Sequence, residues 1–434
     1  MSEGHDAIII GAGIIGAAIA LELGRKGYRT LNVDKLPAAG YGSTGASCAI
    51  IRTHYSTLDG SALAYESYFH WQDWAQYLGV EDERGLAQFH DCGCLVMKTE
   101  ANGYLAKIRG LMDQLGVPYE DWDAARIQAK FPNFDLRRFY PPRSHDDPEF
   151  GTAAPDRLAG GVFFPTAGYI SDPQLATHNL QRAAEAAGGE FRFNVRVAEI
   201  LKSAGRVAGV RLADGTELRA PVVVNVAGPH SYLINEMAGV TEEMTISTRA
   251  LRQEVVHLPS PAGMDYERAG IVVSDSDIGC YSRPEVGNAI LVGSEDPACD
   301  KREFVDPDDY NKEFTDLATS LAHRYAQRYP EVGIPSRTKG VVDLYDASDD
   351  WIPIYDKSSL GGYYMAIGTS GNQFKNAPVA AKMMAALIDS CEHGRDHDTD
   401  PVHLDLPKVG RAINIGFFSR KREVNPDSSF SVLG

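Results

Sequence analysis

The stretch DAIIIGAGIIGAAIALELGRKGYRTLNVDK, residues 6–35, constrains the fold more than any other part of the chain. Its first five residues read as a short buried strand. The apolar spacing then lengthens to that of a helix over residues 14–25, and a second strand ends at Val33. Gly11, Gly13 and Gly16 fall at the join. In that context the first permits a tight turn, the second lets backbone N–H groups approach a pyrophosphate, and the third lets the helix lie close on the strand, while the helix N-terminus adds partial positive charge. Asp34 stands eighteen residues after Gly16, where an acid accepts from a ribose hydroxyl. With a strand before, a helix after and an acid at the right distance, a dinucleotide-binding βαβ unit is favoured over a plain glycine turn. The same run has the apolarity of an export signal, but Glu3 and Asp6 at its start and its spaced glycines argue for buried core, and so for a cytoplasmic chain.

The remainder decides between dinucleotides. An NAD enzyme would continue with alternating strands and helices, whereas residues 43–55, STGASCAIIRTHY, form a long polar loop, and the next strand-plus-glycine element waits until PVVVNVAGPHS. Between them lie a helix started by Asp172 and Pro173 and stopped at Gly188-Gly189, an edge-type strand over residues 191–197, and a hairpin turning at Asp214-Gly215 that returns to a buried Val-rich strand. A β-rich insert follows (RQEVVHLP, AGIVVSDS, IGCYSRPEVGNAILVG), then a charged helical stretch over residues 307–329. The last third brings the strand GYYMAIGTSG and the helix APVAAKMMAALIDS. At 434 residues the chain has room for two domains, and no other apolar run reaches membrane-spanning length. A net charge of −17 excludes an electrostatic nucleic-acid footprint, so anionic partners must be met by local cations. The six cysteines form no framework, Cys92 and Cys94 are too close to act as a zinc pair, and no metal site is expected.

In order along the chain, the glycine motif, the Ser/Gly loop ending in IIR, VNVAGPHS, YDASDDWIPIYD and GTSGNQFKNAPVAA resemble the FAD-dependent amino-acid and sarcosine oxidase family, which includes glycine oxidase, D-amino acid oxidase and dimethylglycine dehydrogenase. The resemblance spans nearly the whole chain. It implies an α/β fold: a discontinuous FAD-binding Rossmann domain of glutathione-reductase type (residues 1–90, 150–235 and 335–434) and a substrate domain on a mixed β-sheet (residues 91–149 and 236–334). It places FAD against Gly11, Gly13, Ile14, Ile15, Gly16, Asp34 and Lys35, then Ser43, Thr44, Ala46, Ser47 and Ile50 of the polar loop. Mid-chain it adds Val197, Ala227 and Gly228, and in the last turn Gly371, Asn372, Gln373, Phe374 and Lys375. The loop's Gly45 is expected to help it pass close to the cofactor. The cysteine and histidine positions that anchor flavin covalently in relatives hold Asp343 and Ala46 here, so FAD is expected to be non-covalent.

On the same resemblance Arg52 and Lys375 grip a substrate carboxylate, the arginine by a bidentate fork and the lysine as a point charge. Tyr345 and Tyr281 fall at substrate-pocket positions. Arg283, two residues beyond Tyr281 on a strand, shares its face and would meet a second acidic group, favouring iminodiacetate over sarcosine. His54 is either a hydrogen-bonding support or a catalytic group. Oxygen is the favoured acceptor, but the oxygen-activating lysine of sarcosine oxidases falls near Leu291, so either another group activates oxygen or the acceptor is not oxygen. The expected reaction is oxidation of a carboxylated amine, an N-substituted glycine, to an imine that water hydrolyses. Rivals are a D-amino acid or 2-hydroxy acid dehydrogenase, the latter with His54 as base, and a flavin-carrying subunit of a larger complex. The sequence does not fix the oligomeric state.

Overall fold

The computed structural model describes residues 4–433. Two large sheets organise it. The first has six strands in the order Ile354–Lys357, Tyr363–Ile367, Val222–Asn225, Ala7–Ile10, Thr30–Val33, Glu190–Arg192. All neighbours are parallel except the outermost pair, Ile354–Lys357 with Tyr363–Ile367. Such a sheet is covered on its faces, and its strands read as unbroken apolar runs because neither side meets water. The helix Ile14–Arg25 is buried at every position from Ile14 to Leu23, packed between Pro173–Ala186 and Ala377–Glu392. The apolar N-terminal run is therefore core.

The second sheet has nine strands and is mixed. Val272–Asp275 runs parallel to Cys94–Met97 and antiparallel to Cys280–Glu285. The sheet also takes in Gly160–Phe164 and Gly340–Ser348, two strands that the sequence division assigned to the other domain. Alternation along the strands splits its faces. Leu95, Val256 and Val292 pack behind the sheet with Tyr325 and Tyr329 of the helical side, while Cys94, Val255 and Tyr281 face a cavity between the two sheets. Behind the sheet Arg328 is wholly buried, its guanidinium shared between Asp275 and Asp277.

Three local expectations are corrected. The charged stretch 307–329 is helical only as Asp316–Arg328, capped by Thr315. Upstream, Asp306 and Asn311 accept from the backbone N–H two residues on, at 2.8 and 3.0 Å, and these Asx turns displace the helix. Residues 191–197 fall on two strands: Glu190–Arg192 is followed by Asn194, whose φ is +58°, and Val197–Ser203 belongs to a separate three-stranded sheet. The hairpin Arg206–Leu212/Glu217–Leu218 turns at Asp214-Gly215, but Val222–Asn225 leaves it and enters the parallel sheet beside Ala7–Ile10.

Candidate active site

At the carboxyl end of Ala7–Ile10 the chain turns through Gly11, whose φ is +120° and whose added Cβ would lie 2.3 Å from the Val226 carbonyl oxygen. An added Cβ on Gly16 would lie 2.4 Å from the Gly11 oxygen, so strand, turn and helix are in backbone contact. Asn32 fixes this crossing from the next strand, donating to the carbonyls of Gly11 and Gly16 at 3.0 and 3.2 Å. Asp34 accepts from Ala12 N at 2.8 Å and from Leu36 N at 2.9 Å, which aims its carboxylate at the turn and leaves lone pairs for further donors. The helix N-terminus holds no acid in its first turn. It opens into a cavity of about 550 Å³ that continues past Ala227 and Gly228 and ends against the nine-stranded sheet.

Arg52 and Lys375 meet at that far end. Arg52 follows the short strand Ile50–Ile51, and Lys375 sits in the turn that leads from Tyr363–Ile367 into the helix Ala377–Glu392. Both are buried and both line the cavity. Tyr55 holds them together. Its ring lies under the Arg52 guanidinium at 4.3 Å, and its hydroxyl donates to Asn372 O at 2.6 Å while accepting from Lys375 Nζ at 3.0 Å. The remaining bonds go to carbonyls: Arg52 to His54 O and, at 3.0 Å, to Val432 O, and Lys375 to Asn372 O at 2.7 Å. Among the described residues no carboxylate pairs with either cation. Burial, reinforced by Arg52, pushes the Lys375 ammonium well below its ordinary range. Two buried basic side chains with no carboxylate partner among the described residues, in a chain of net charge −17, are what a bound anion would need.

His54 lines the same end, stacked on Phe164 at 4.2 Å between centroids. Burial, then Arg52 and Lys375, hold its pKa well below the usual histidine value, so the imidazole is neutral. Tyr281 and Tyr345 also line the cavity. Burial raises both phenols, which keeps them protonated and able to donate. Each is seated on a glycine: an added Cβ would lie 2.2 Å from the Tyr281 ring at Gly293 and 2.4 Å from the Tyr345 ring at Gly371. Gly293→Ala is therefore expected to displace Tyr281 toward the cavity and slow flavin reduction by about 10- to 100-fold, because misplacement of about an ångström costs that much. FAD content should be unchanged; absorbance and single-turnover kinetics check both.

The family model for FAD dependent oxidoreductases matches residues 6–387. The chain belongs to the FAD dependent oxidoreductase family. A curated relative, glycine oxidase of Geobacillus kaustophilus, is 23% identical over 413 residues, covering 94% of this chain and all of its own length. D-amino acid dehydrogenase of Paramagnetospirillum magneticum is 26% identical over 54% of this chain, a match that spans 63% of that protein. Among solved structures, L-proline dehydrogenase from P. horikoshii superposes with a TM-score of 0.75 at 20% identity, covering 97% of this chain and 98% of that one.

In this FAD dependent oxidoreductase every position expected to meet the cofactor lines the cavity. The glycine turn, the helix end free of acids and the open side of Asp34 fit a dinucleotide's pyrophosphate and ribose. Lys35 meets the cavity at its mouth, where its ammonium and His230 share Asp308. Gly45 does not line the cavity; an added Cβ there would lie 2.6 Å from Gln174 Nε2 and 2.7 Å from Gly40 O. Arg283 is the expected residue that the structure keeps out of the site. Its Nε and Nη1 donate at 2.6 Å to Cys48 O and Pro284 O, its Nη2 pairs with Glu285 at 2.9 Å, and it lies over the Tyr169 ring. It shares a strand face with Tyr281, but the guanidinium turns along the sheet to these partners.

The site also contains residues that the sequence alone did not single out as candidates. Tyr55 carried a signal, standing in the same short stretch as Arg52 and His54. Ser274, Gln253 and Val432 carried none, because they reach the cavity only through strand register and through the packing of residues 425–433 over the site. Among the described residues no helix is long and apolar enough to cross a membrane.

Proposed function

We propose that this chain oxidises a carboxylated amine bearing a single carboxylate, an N-substituted glycine such as sarcosine, to an imine that water hydrolyses, with oxygen as the acceptor. The observation that carries this reading is the buried pair of Arg52 and Lys375, held by Tyr55 and lacking a carboxylate partner. A carboxylate docked there receives a fork from Arg52 and a point charge from Lys375, which fixes the adjacent carbon. Binding an anion also favours the charged form of Lys375, which burial and Arg52 otherwise disfavour. FAD, when bound, supplies the two-electron acceptor chemistry. Tyr281 and Tyr345 line the same cavity and keep their phenol protons. With Arg283 committed to Cys48, Pro284 and Glu285, a second carboxylate has no cation there, which favours sarcosine over iminodiacetate. A 2-hydroxy acid would need a base for its hydroxyl proton. His54 serves poorly, since an imidazolium would form beside two cations.

Anaerobic addition of sarcosine, iminodiacetate, D-alanine, D-proline and 2-hydroxyglutarate to the holoenzyme tests the reading through the flavin absorbance. Sarcosine should bleach the flavin fastest, and air should restore the colour. Bleaching by 2-hydroxyglutarate and by no amine would overturn it.

A further inference from the structure

The strand Val272–Asp275 lies in the middle of the nine-stranded sheet. Its register sets Ser274 directly opposite Tyr281, so both side chains stand on the side that lines the cavity. The Ser274 hydroxyl donates at 2.6 Å to Glu295 Oε1, and the Ser276 hydroxyl donates at 2.7 Å to Oε2. Glu295 is buried at the end of the strand Ala289–Ser294. Among the described residues it has no ion pair, an arrangement rare for a buried carboxyl. The titratable groups around it are Tyr104, Cys94, Asp275 and Cys280. Glu295 reaches the cavity through Ser274, which lines it beside Tyr281 and with Cys94 of the neighbouring strand, in the same cavity that holds Arg52 and Lys375.

An amino acid reaches such a site as an ammonium carboxylate. Its nitrogen must lose a proton before its lone pair can assist departure of hydride from the adjacent carbon. We propose that Ser274 and Glu295 form the relay that accepts this proton, an inference that rests on the carboxylated-amine reading above. The ammonium N–H bond breaks toward Ser274 Oγ as the serine's own proton passes to Glu295 Oε1. The amine is left neutral, the carboxyl protonated, and no electrons change hands. Two cations on the carboxylate side favour the neutral amine, and a carboxyl that pairs with no cation among the described residues has no fixed positive charge opposing its protonation. Burial raises the Glu295 pKa to about 7, which suits a group that takes up and returns a proton near neutral pH. Glu295 acts through Ser274, as a positioning residue.

The test uses the holoenzyme, the Glu295→Gln and Ser274→Ala variants, and the anaerobic rate of flavin bleaching against pH. With sarcosine the unmodified enzyme should show a rate that rises through pH about 7 and then levels, since only the carboxylate form accepts. In Glu295→Gln that limb should vanish, leaving a rate that rises only where the substrate amine itself deprotonates, with a loss of about 100-fold at pH 7. N-(2,2,2-trifluoroethyl)glycine, whose amine is already neutral at pH 7, should be oxidised equally well by both. Binding of α-aminoisobutyrate, which offers the carboxylate and ammonium but no oxidisable C–H, should perturb the flavin spectrum with the same Kd in both. An unchanged pH profile in Glu295→Gln overturns the relay, as does a Kd raised tenfold or more, which would make Glu295 an ammonium-binding group instead. If Glu295→Gln fails to hold FAD, Ser274→Ala carries the same predictions. Failure of every amine to bleach the unmodified enzyme defeats the carboxylated-amine reading, a result distinct from failure of the relay.

Discussion

Arg52→Ala is expected to raise the KM for the carboxylated amine by about 30-fold to a few thousand-fold, since truncating one partner of a buried charged pair costs about 2–5 kcal/mol. Bound FAD should remain, because Arg52 lies at the far end of the cavity from the glycine turn. Lys375 remains in the variant, but a point charge lacks the fork that sets the plane of the carboxylate. Arg52→Lys should therefore recover affinity in part and the maximal rate hardly at all. Two carbonyls, His54 O and Val432 O, lose their donor, so the thermal midpoint should be recorded beside the kinetics. An unchanged KM with FAD in place would mean that the carboxylate is held elsewhere.

Gly11→Ala is expected to yield protein without FAD, with cofactor affinity lowered at least 100-fold. Two effects add. A φ of +120° is a conformation L residues rarely adopt, at a cost of about 1–3 kcal/mol, and the new methyl would overlap the Val226 carbonyl oxygen. That carbonyl cannot retreat easily, since its residue is tied through Val226 N to Ile10 O at 2.9 Å. Gly188→Ala is the control: its φ is +91°, but nothing lies within 4 Å of the added Cβ, so a stability loss of about 1 kcal/mol with normal FAD binding is expected. Titration of the apoproteins with FAD, followed by flavin fluorescence, separates the two. Tight binding by Gly11→Ala would show that the turn can rearrange.

The parts of this fold legible in the sequence are those where one stretch carries its own reason. Residues 6–35 show strand, turn, helix and acid within a single window, and the structure adds that Gly11 and Gly16 are required by two named carbonyl contacts. The facing of Arg283 was not legible. Alternation puts it on the face of Tyr281, but the guanidinium has reach enough to find Cys48 O, which only the folded loop brings near. Ser274 and Glu295 were hidden for the same reason: twenty-one residues separate them, and only the register of three strands brings hydroxyl and carboxyl together. The helix expected over residues 307–329 failed on local grounds, because Asp and Asn side chains offered its first turns a competing set of hydrogen bonds.

The order of strands in the parallel sheet sets a timetable for synthesis. Ala7–Ile10 has Thr30–Val33 on one side within moments, but Val222–Asn225, its other neighbour, is made more than two hundred residues later. At about 5–20 residues per second this is a wait of roughly 10–40 s, during which one edge of this wholly apolar strand stands unpaired. Tyr363–Ile367, which seals the far side of Val222–Asn225 and leads to Lys375, emerges later still. The cofactor cavity draws on all of these segments, so it comes into being only after residue 375 has left the ribosome. Until then no cavity exists for FAD to stabilise, so flavin can act only on chains whose parallel sheet has already closed.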